Sequence, residues 1–305
     1  MEFFLQQTVN GVTLGSVYAL LALGYSMVYG VLKLLNFAHG EVYMFGAFAG
    51  YGVLTVLGGA SALSVPVWLA IVLMFLAAMA TSSAIGVALE RFAYRPLREA
   101  TRIAPLISAI GASFFLQASA LLMFTANSRT YDTPQLIEIQ TGIALGPIRV
   151  WMVRILVIVS AVVLMILLTL WVNRTRLGKA VRAVSFDREA AAMMGIDVDK
   201  VIVVVFLIGS ALAGIGGVMV GLVFGRIFHL MGFVAGLKAF TAAVVGGIGS
   251  IPGAMLGGLL IGLAEAYTTG YISSTFQNVI VFGLLIAVLL VRPSGLLGRP
   301  ELVKV

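Results

Sequence analysis

Cysteine is absent from the 305 residues, and histidine occurs only twice. Disulfides, cysteine-based zinc sites and thiol catalysis are therefore excluded, and His39 and His229 lie too far apart in sequence to suggest a metal site. Charge is scarce too: 10% of residues are charged, against about 25% in soluble domains. Signatures of catalysis and nucleotide binding are missing. No G-x-x-x-x-G-K-[ST] occurs, so Gly246-Gly247-Ile248-Gly249-Ser250 is no phosphate loop, and neither H-E-x-x-H nor G-x-S-x-G is found. No acidic pair lies in a polar cleft, which disfavours an intramembrane hydrolase. No enzyme activity and no cofactor are expected in this chain.

What is present is apolar. Hydrophobic residues make up 61% of the chain, and the mean hydropathy is +1.11. The longest polar intervals, 126–149 and 173–200, are too short to bury a core of their own. The chain therefore reads as one transmembrane domain over 1–305. The formal charge of +7 does not point to nucleic acid, because the basic residues lie in short tracts between apolar blocks. Met1-Glu2-Phe3-Phe4 has neither a basic leader nor a small-residue cleavage site after the first apolar run, so that run is expected to stay.

A bilayer crossing takes about 20 apolar residues. Eight blocks approach that: 9–32, 37–58, 66–89, 103–125, 150–172, 201–225, 233–272 and 276–292. The seventh is twice the needed length and contains Ser250-Ile251-Pro252-Gly253, a natural break. Arginine and lysine collect in 91–102, 173–200 and the tail from 292, which hold 13 of the 19 basic residues. All three should face the cytoplasm. Parity then places the N-terminus outside, the tail inside, and favours nine traversals, or eight if one block is re-entrant. The predicted fold is an all-α polytopic transmembrane bundle with broken or re-entrant segments. Gly249, Gly253 and Gly257, spaced by four, suit close helix packing in lipid or the lining of a path.

The 173–200 tract is the most informative polar region. Ser185 or Asp187 can cap a helix, Ala190 to Ala192 favour one, and Gly195 is a good stop. The result is a helix of about 8 residues, near 12 Å long, exposing Met193 and Met194, side chains that adapt to a partner's groove. On chemistry alone, an ordinary basic loop accounts for the tract equally well.

Glu189-Ala190-Ala191-x-x-x-Gly195 resembles the front half of the EAA-loop signature of ABC importer permeases, without the later Ile-x-Leu-Pro part. Asn10-Gly11-Val12-Thr13-Leu14-Gly15-Ser16, Asn36-Phe37-Ala38-His39-Gly40-Glu41, Glu90-Arg91-Phe92-Ala93-Tyr94-Arg95-Pro96-Leu97-Arg98, Lys238 to Ala254 and Gly298-Arg299-Pro300-Glu301 are similar to the high-affinity branched-chain amino acid permeases. That resemblance covers essentially the whole chain. It implies a multi-pass subunit of a bacterial inner membrane importer and makes the 185–195 helix the part that docks on an ATPase. It also implies a second, LivM-like permease subunit, two cytoplasmic ABC ATPase subunits and a periplasmic amino-acid-binding protein. Permeases for urea, short amides or other amino acids share much of the pattern.

A few polar residues lie within or beside apolar blocks. Asn36, His39 and Glu41 form either a polar hinge near the pathway or an interfacial turn that caps the next span. Lys238 and Glu265 fit helix pairing and pathway equally. Glu41 and Glu265 are also the acids that an ion-coupled transporter would need. Glu90 reads as a structural group beside Arg91, and Trp68, Trp151 and Trp171 as interfacial anchors.

Overall fold

The structure is a computed structural model and describes residues 1–98, 100–101, 103–137, 142–145 and 148–298. Arg102, Arg299, Pro300, Glu301 and Lys304 lie outside the described residues. Helices dominate: α1 (Glu2–Leu32), α2 (His39–Val56), α3 (Val67–Leu89), α4 (Ile103–Phe124), α5 (Thr133–Leu136), α6 (Met152–Arg174), α7 (Arg176–Phe186), α8 (Arg188–Met193), α9 (Val198–Phe224), α10 (Met231–Gly246), α11 (Ile251–Tyr271) and α12 (Gln277–Val291). A π-helical turn (Glu90–Tyr94) and a 3₁₀ turn (Arg95–Leu97) extend α3. Short strands β1 (Arg129–Thr130) and β4 (Arg226–Ile227) pair antiparallel, and β2 (Gly142–Leu145) forms a hairpin with β3 (Ile148–Trp151).

Seven helical segments are long and apolar enough to cross a membrane: those built on α1, α3, α4, α6, α9, α11 and α12. The remaining two apolar helices, α2 and α10, do not meet both conditions. At 1.5 Å per residue, α2 with 18 residues reaches about 27 Å and α10 with 16 about 24 Å. Each follows a six-residue connector without helix, 33–38 or 225–230, that opens on a left-handed residue, Lys33 or Gly225. Seven segments therefore qualify as full spans among the described residues, and α2 and α10 pack between them as helices that begin inside the bundle. The long seventh block divides where Pro252 predicts. There α10 ends at Gly246, a turn carries Gly249 at φ +86°, and Ser250 caps α11 by accepting from the Gly253 amide at 3.2 Å.

Contacts fix the helix directions. α11 runs antiparallel to α1, since Cβ atoms on Gly15 and Gly11 would lie 2.8 Å from the Leu259 and Leu263 Cα atoms. α3 runs antiparallel to α9 in the same way, with Gly86 against Ser210 and Gly214 against Ser82. α2 runs parallel to α9, pairing Gly46 with Gly214 and Gly50 with Val218. α10 runs parallel to α1, from Gly236 near Tyr25 to the turn at Gly249 near Gly30. Exchanging α1, α2 and α3 for α9, α10 and α11 therefore preserves the packing. α1 crosses α9 at Gly24 and Gly209, and α2 crosses α10 at Gly40 and Gly236, each pair being related by the same exchange. Because α1 and α9 point in opposite directions, the two halves form an inverted repeat around these crossings.

One end of the bundle, here the basic end, carries Lys33, Arg91, Arg95, Arg98, α7, α8 and Arg292. The opposite hairpin end carries β1 to β4 and the start of α6. The core lies in α1, α2, α9 and α10, whereas α4, α6 and α12 turn Phe114, Phe115, Ile166 and Leu290 outward. That inverted exposure suits hydrocarbon as the surrounding solvent.

Candidate functional site

At the basic end, Thr175 opens α7 by accepting from the Gly178 amide at 3.0 Å. The helix buries Gly178, Val181 and Val184 on one stripe and leaves Lys179, Arg182 and Phe186 outward. Asp187 then ends α7 and starts α8, its Oδ1 accepting from the amides of Glu189 (3.0 Å) and Ala190 (3.1 Å). Ser185, the other candidate cap, sits inside α7 and donates to the Arg182 carbonyl. Gly195, at φ +81°, reverses the chain after α8, and the Ile196 amide returns to the Ala191 carbonyl at 3.1 Å. Ala191 is buried, whereas Glu189 and Ala190 face out and Met193 and Met194 are each 82% exposed. Between α7 and α8 lies a groove of about 500 Å³ lined by Arg182, Phe186, Asp187, Ala190, Met194 and Ile196 among others. The expected single helix is thus a helical pair with an apolar, cation-edged groove.

Arg188, passed over as one more loop charge, ties this pair to the bundle. Its Nε donates to the Val31 main-chain carbonyl at 2.7 Å, and Nη2 donates to the same oxygen. Val31 lies in the last turn of α1, where carbonyls lack helical partners and the helix dipole is negative. Burial, and then the neighbouring Arg98 charge, lower the Arg188 pKa below the ordinary guanidinium value. Arg188 thus joins α8 to the end of α1.

A second charged cluster links α3 to α9. Glu90 pairs with Arg98 rather than Arg91, and Arg98 and Arg95 both pair with Asp199 at the start of α9. The π-helical turn brings the Tyr94 hydroxyl to the Asn36 side-chain oxygen at 2.7 Å, anchoring the connector between α1 and α2. Asn36 thus belongs to the connector, and His39 and Glu41 lie in the first turn of α2, deep in the bundle.

The other intramembrane polar groups fall into two centres. Glu41 Oε1 accepts from Gln117 Nε2 at 2.8 Å and Ser113 Oγ at 3.2 Å on α4, while Oε2 abuts Gly232 on α10 without a hydrogen-bond partner. The His39 ring packs edge-on against Tyr25, 4.7 Å between centroids, and its Nε2 has no partner among the described residues. In the second centre Lys238 Nζ donates to Glu265 Oε1 at 2.6 Å, and the Tyr18 hydroxyl donates to Oε2 at 2.9 Å. Three helices, α10, α11 and α1, meet there. Lys238 and Glu265 are thus brought together, while His39 and Glu41 lie at the crossing of the two short helices. Gly249 lies in the turn between α10 and α11, Pro252 and Gly253 in the first turn of α11, and all three are apart from both centres.

A family model described as "Branched-chain amino acid transport system / permease component" matches residues 7–289. The chain belongs to this family. Its similarity to named relatives runs nearly end to end. It is 47% identical over 309 residues to the high-affinity branched-chain amino acid transport system permease protein BraD of Pseudomonas aeruginosa, covering 99% of this chain and 98% of that one. It is 45% identical over 314 residues to LivH of Escherichia coli K12 and, at the same identity and length, to LivH of Salmonella typhimurium, again covering 99% and 98%. The family read from the motifs at Asn10, Asn36, Glu90 and Lys238 is the family found.

Proposed function

We propose that this chain is one membrane subunit of an ABC importer that moves leucine, isoleucine and valine into a bacterial cell. The observation that carries the reading is end-to-end similarity to BraD and LivH, whose names state branched-chain amino acid transport. The subunit sits in the inner membrane with its basic end cytoplasmic, as the clustering of arginine and lysine favours. The N-terminus is then periplasmic and the C-terminus cytoplasmic. Of two ATPase subunits in the assembly, one docks on α7 and α8, with Met193, Met194 and Phe186 entering or flanking its groove. A LivM-like permease completes the pore, and a periplasmic binding protein delivers substrate. ATP is hydrolysed in those partner chains, and no cofactor is needed in this one.

Transport proceeds by alternating access. ATPase closure moves α8, Arg188 passes the displacement to α1, and the inverted halves rock about the Gly24–Gly209 and Gly40–Gly236 crossings. Reconstituting the chain with its permease, ATPase and binding-protein partners in vesicles should give ATP-dependent leucine uptake. Charge reversal at Glu189, or a bulky residue at Gly195, should lower transport-coupled ATPase activity while the protein stays in the membrane. Wild-type coupling in both would refute the docking role.

One observation favours a second reading, an ion-coupled transporter: the inverted repeat holds broken segments and a buried acid, Glu41, with a free oxygen. The same vesicles decide between them. Gradient-driven uptake by the lone chain would replace the ABC reading.

A further inference from the structure

A cavity of about 230 Å³ opens at the hairpin end, between α1, α6, α9, α11 and α12. It is smaller than the about 300–1,000 Å³ typical of drug-sized ligand sites, and suits a ligand the size of a free amino acid. Its walls differ in chemistry. Arg154, in the first turn of α6, presents a guanidinium that hydrogen-bonds the Asn10 side-chain oxygen and lies 5.2 Å from the Trp151 ring centroid. Among the described residues no carboxylate pairs with it. A guanidinium carries five N–H donors, and two in parallel match a carboxylate. Elsewhere on the wall lies Glu265, whose two oxygens each accept one hydrogen bond, from Lys238 and Tyr18. Each oxygen of a carboxylate has a further acceptor site. Leu14, Val223 and Phe224 supply an apolar flank.

We propose that this cavity is an outer subsite for an aliphatic, zwitterionic amino acid, held by carboxylate to Arg154, ammonium towards Glu265, and side chain against Leu14, Val223 and Phe224. The proposal rests on the transport reading above. It also fits the placement, because the cavity lies at the end opposite α7 and α8, where substrate would arrive. Arg154 is half-buried in the first turn of an apolar span, and an ionisable residue so placed is by default a candidate for the pathway.

The test uses the assembled transporter with saturating binding protein in vesicles of uncharged phosphatidylcholine. Arg154→Gln should lower leucine uptake at least about tenfold, and Arg154→Lys should restore only part, because a single ammonium lacks the parallel fork. Phe224→Trp, which leaves Arg154 and its partners intact, should narrow the cavity and reduce leucine uptake more than valine uptake. Wild-type uptake in Arg154→Gln would overturn the proposal. So would equal effects of Phe224→Trp on the two substrates, or a defect of Arg154→Gln that appears only when the vesicles contain anionic lipid, which would make Arg154 a headgroup anchor. Absence of ATP-driven leucine uptake by the wild-type complex would instead defeat the transport reading itself.

Discussion

Arg188 donates from Nε to the Val31 carbonyl at 2.7 Å, joining the largely exposed α8 to the last turn of α1, a helix of the core. The bond is charge-assisted and made to a carbonyl that the helix itself leaves unsatisfied. Hydrogen bonds to charged groups contribute about 1.5–3 kcal/mol, so losing this one should weaken the link by roughly ten- to hundredfold. In the reconstituted complex Arg188→Ala should keep basal ATP hydrolysis but lower the leucine moved per ATP. Arg188→Lys should recover little, because one ammonium does not reproduce two guanidinium donors on one oxygen. An unchanged ratio would remove Arg188 from the relay.

Asp187 caps α8. A helix of six residues is too short to hold itself, and the two bonds from Asp187 Oδ1 satisfy two of its first free amides. Asp187→Ala should cost about 1 kcal/mol locally, enough to fray α8. Asp187→Ser, which keeps a capping oxygen, should behave nearly as wild type. Proteolysis between α7 and α9 measures the fraying, and stimulation of the ATPase subunits measures its consequence. Equal protection in the two variants would show that packing of Ala191, rather than the cap, holds the segment.

The apolar blocks were legible because length and hydropathy are local properties, and so was the division at Pro252. The two short helices were not. Phe37 and Ala38 are apolar, so the block 37–58 reads as one span, whereas α2 starts only at His39 after a connector fixed by the Tyr94–Asn36 bond. The inverted repeat rests on contacts such as Gly40 against Gly232, which no local window contains. Equal connectors, 33–38 and 225–230, were the available signal. Lys238 and Glu265 stood as a pair of ambiguous charges because 27 positions separate them, and only the turn at Gly247–Ser250 folds α10 back along α11. Arg188 was hidden by its company: among six basic residues of one tract, nothing in the sequence marks the one that turns inward.

Gly40 offers a test of the central crossing. A Cβ there would meet the Gly232 carbonyl and lie 2.9 Å from the Gly236 Cα, both backbone atoms that no rotamer change can move aside. Overpacking costs about 1–3 kcal/mol, so Gly40→Ala should lower the thermal midpoint in detergent, and Gly40→Val should block accumulation of folded protein. Gly52, further along the same helix, has nothing within 4 Å of its Cβ position, and Gly52→Ala should be neutral or slightly stabilising. If the two alanine variants melt alike, the short helices do not cross as described.

The Lys238–Glu265 pair separates a structural role from a role in transport. Both side chains are nearly fully buried, 4% and 9% exposed, so removing one strands the other's charge in a medium that cannot solvate it. Such breakage costs about 3–5 kcal/mol, whereas replacing the whole group by apolar residues of similar volume is often neutral. Lys238→Met and Glu265→Leu should therefore each lower the melting midpoint strongly. The variant combining both with Tyr18→Phe, which removes the orphaned hydroxyl as well, should recover most of the loss. Non-additivity of this kind is the signature of direct coupling. Leucine uptake then discriminates. If the carboxylate also faces substrate, the combined variant will be stable yet transport poorly, and wild-type uptake from a stable apolar triple would show that the three groups serve packing alone.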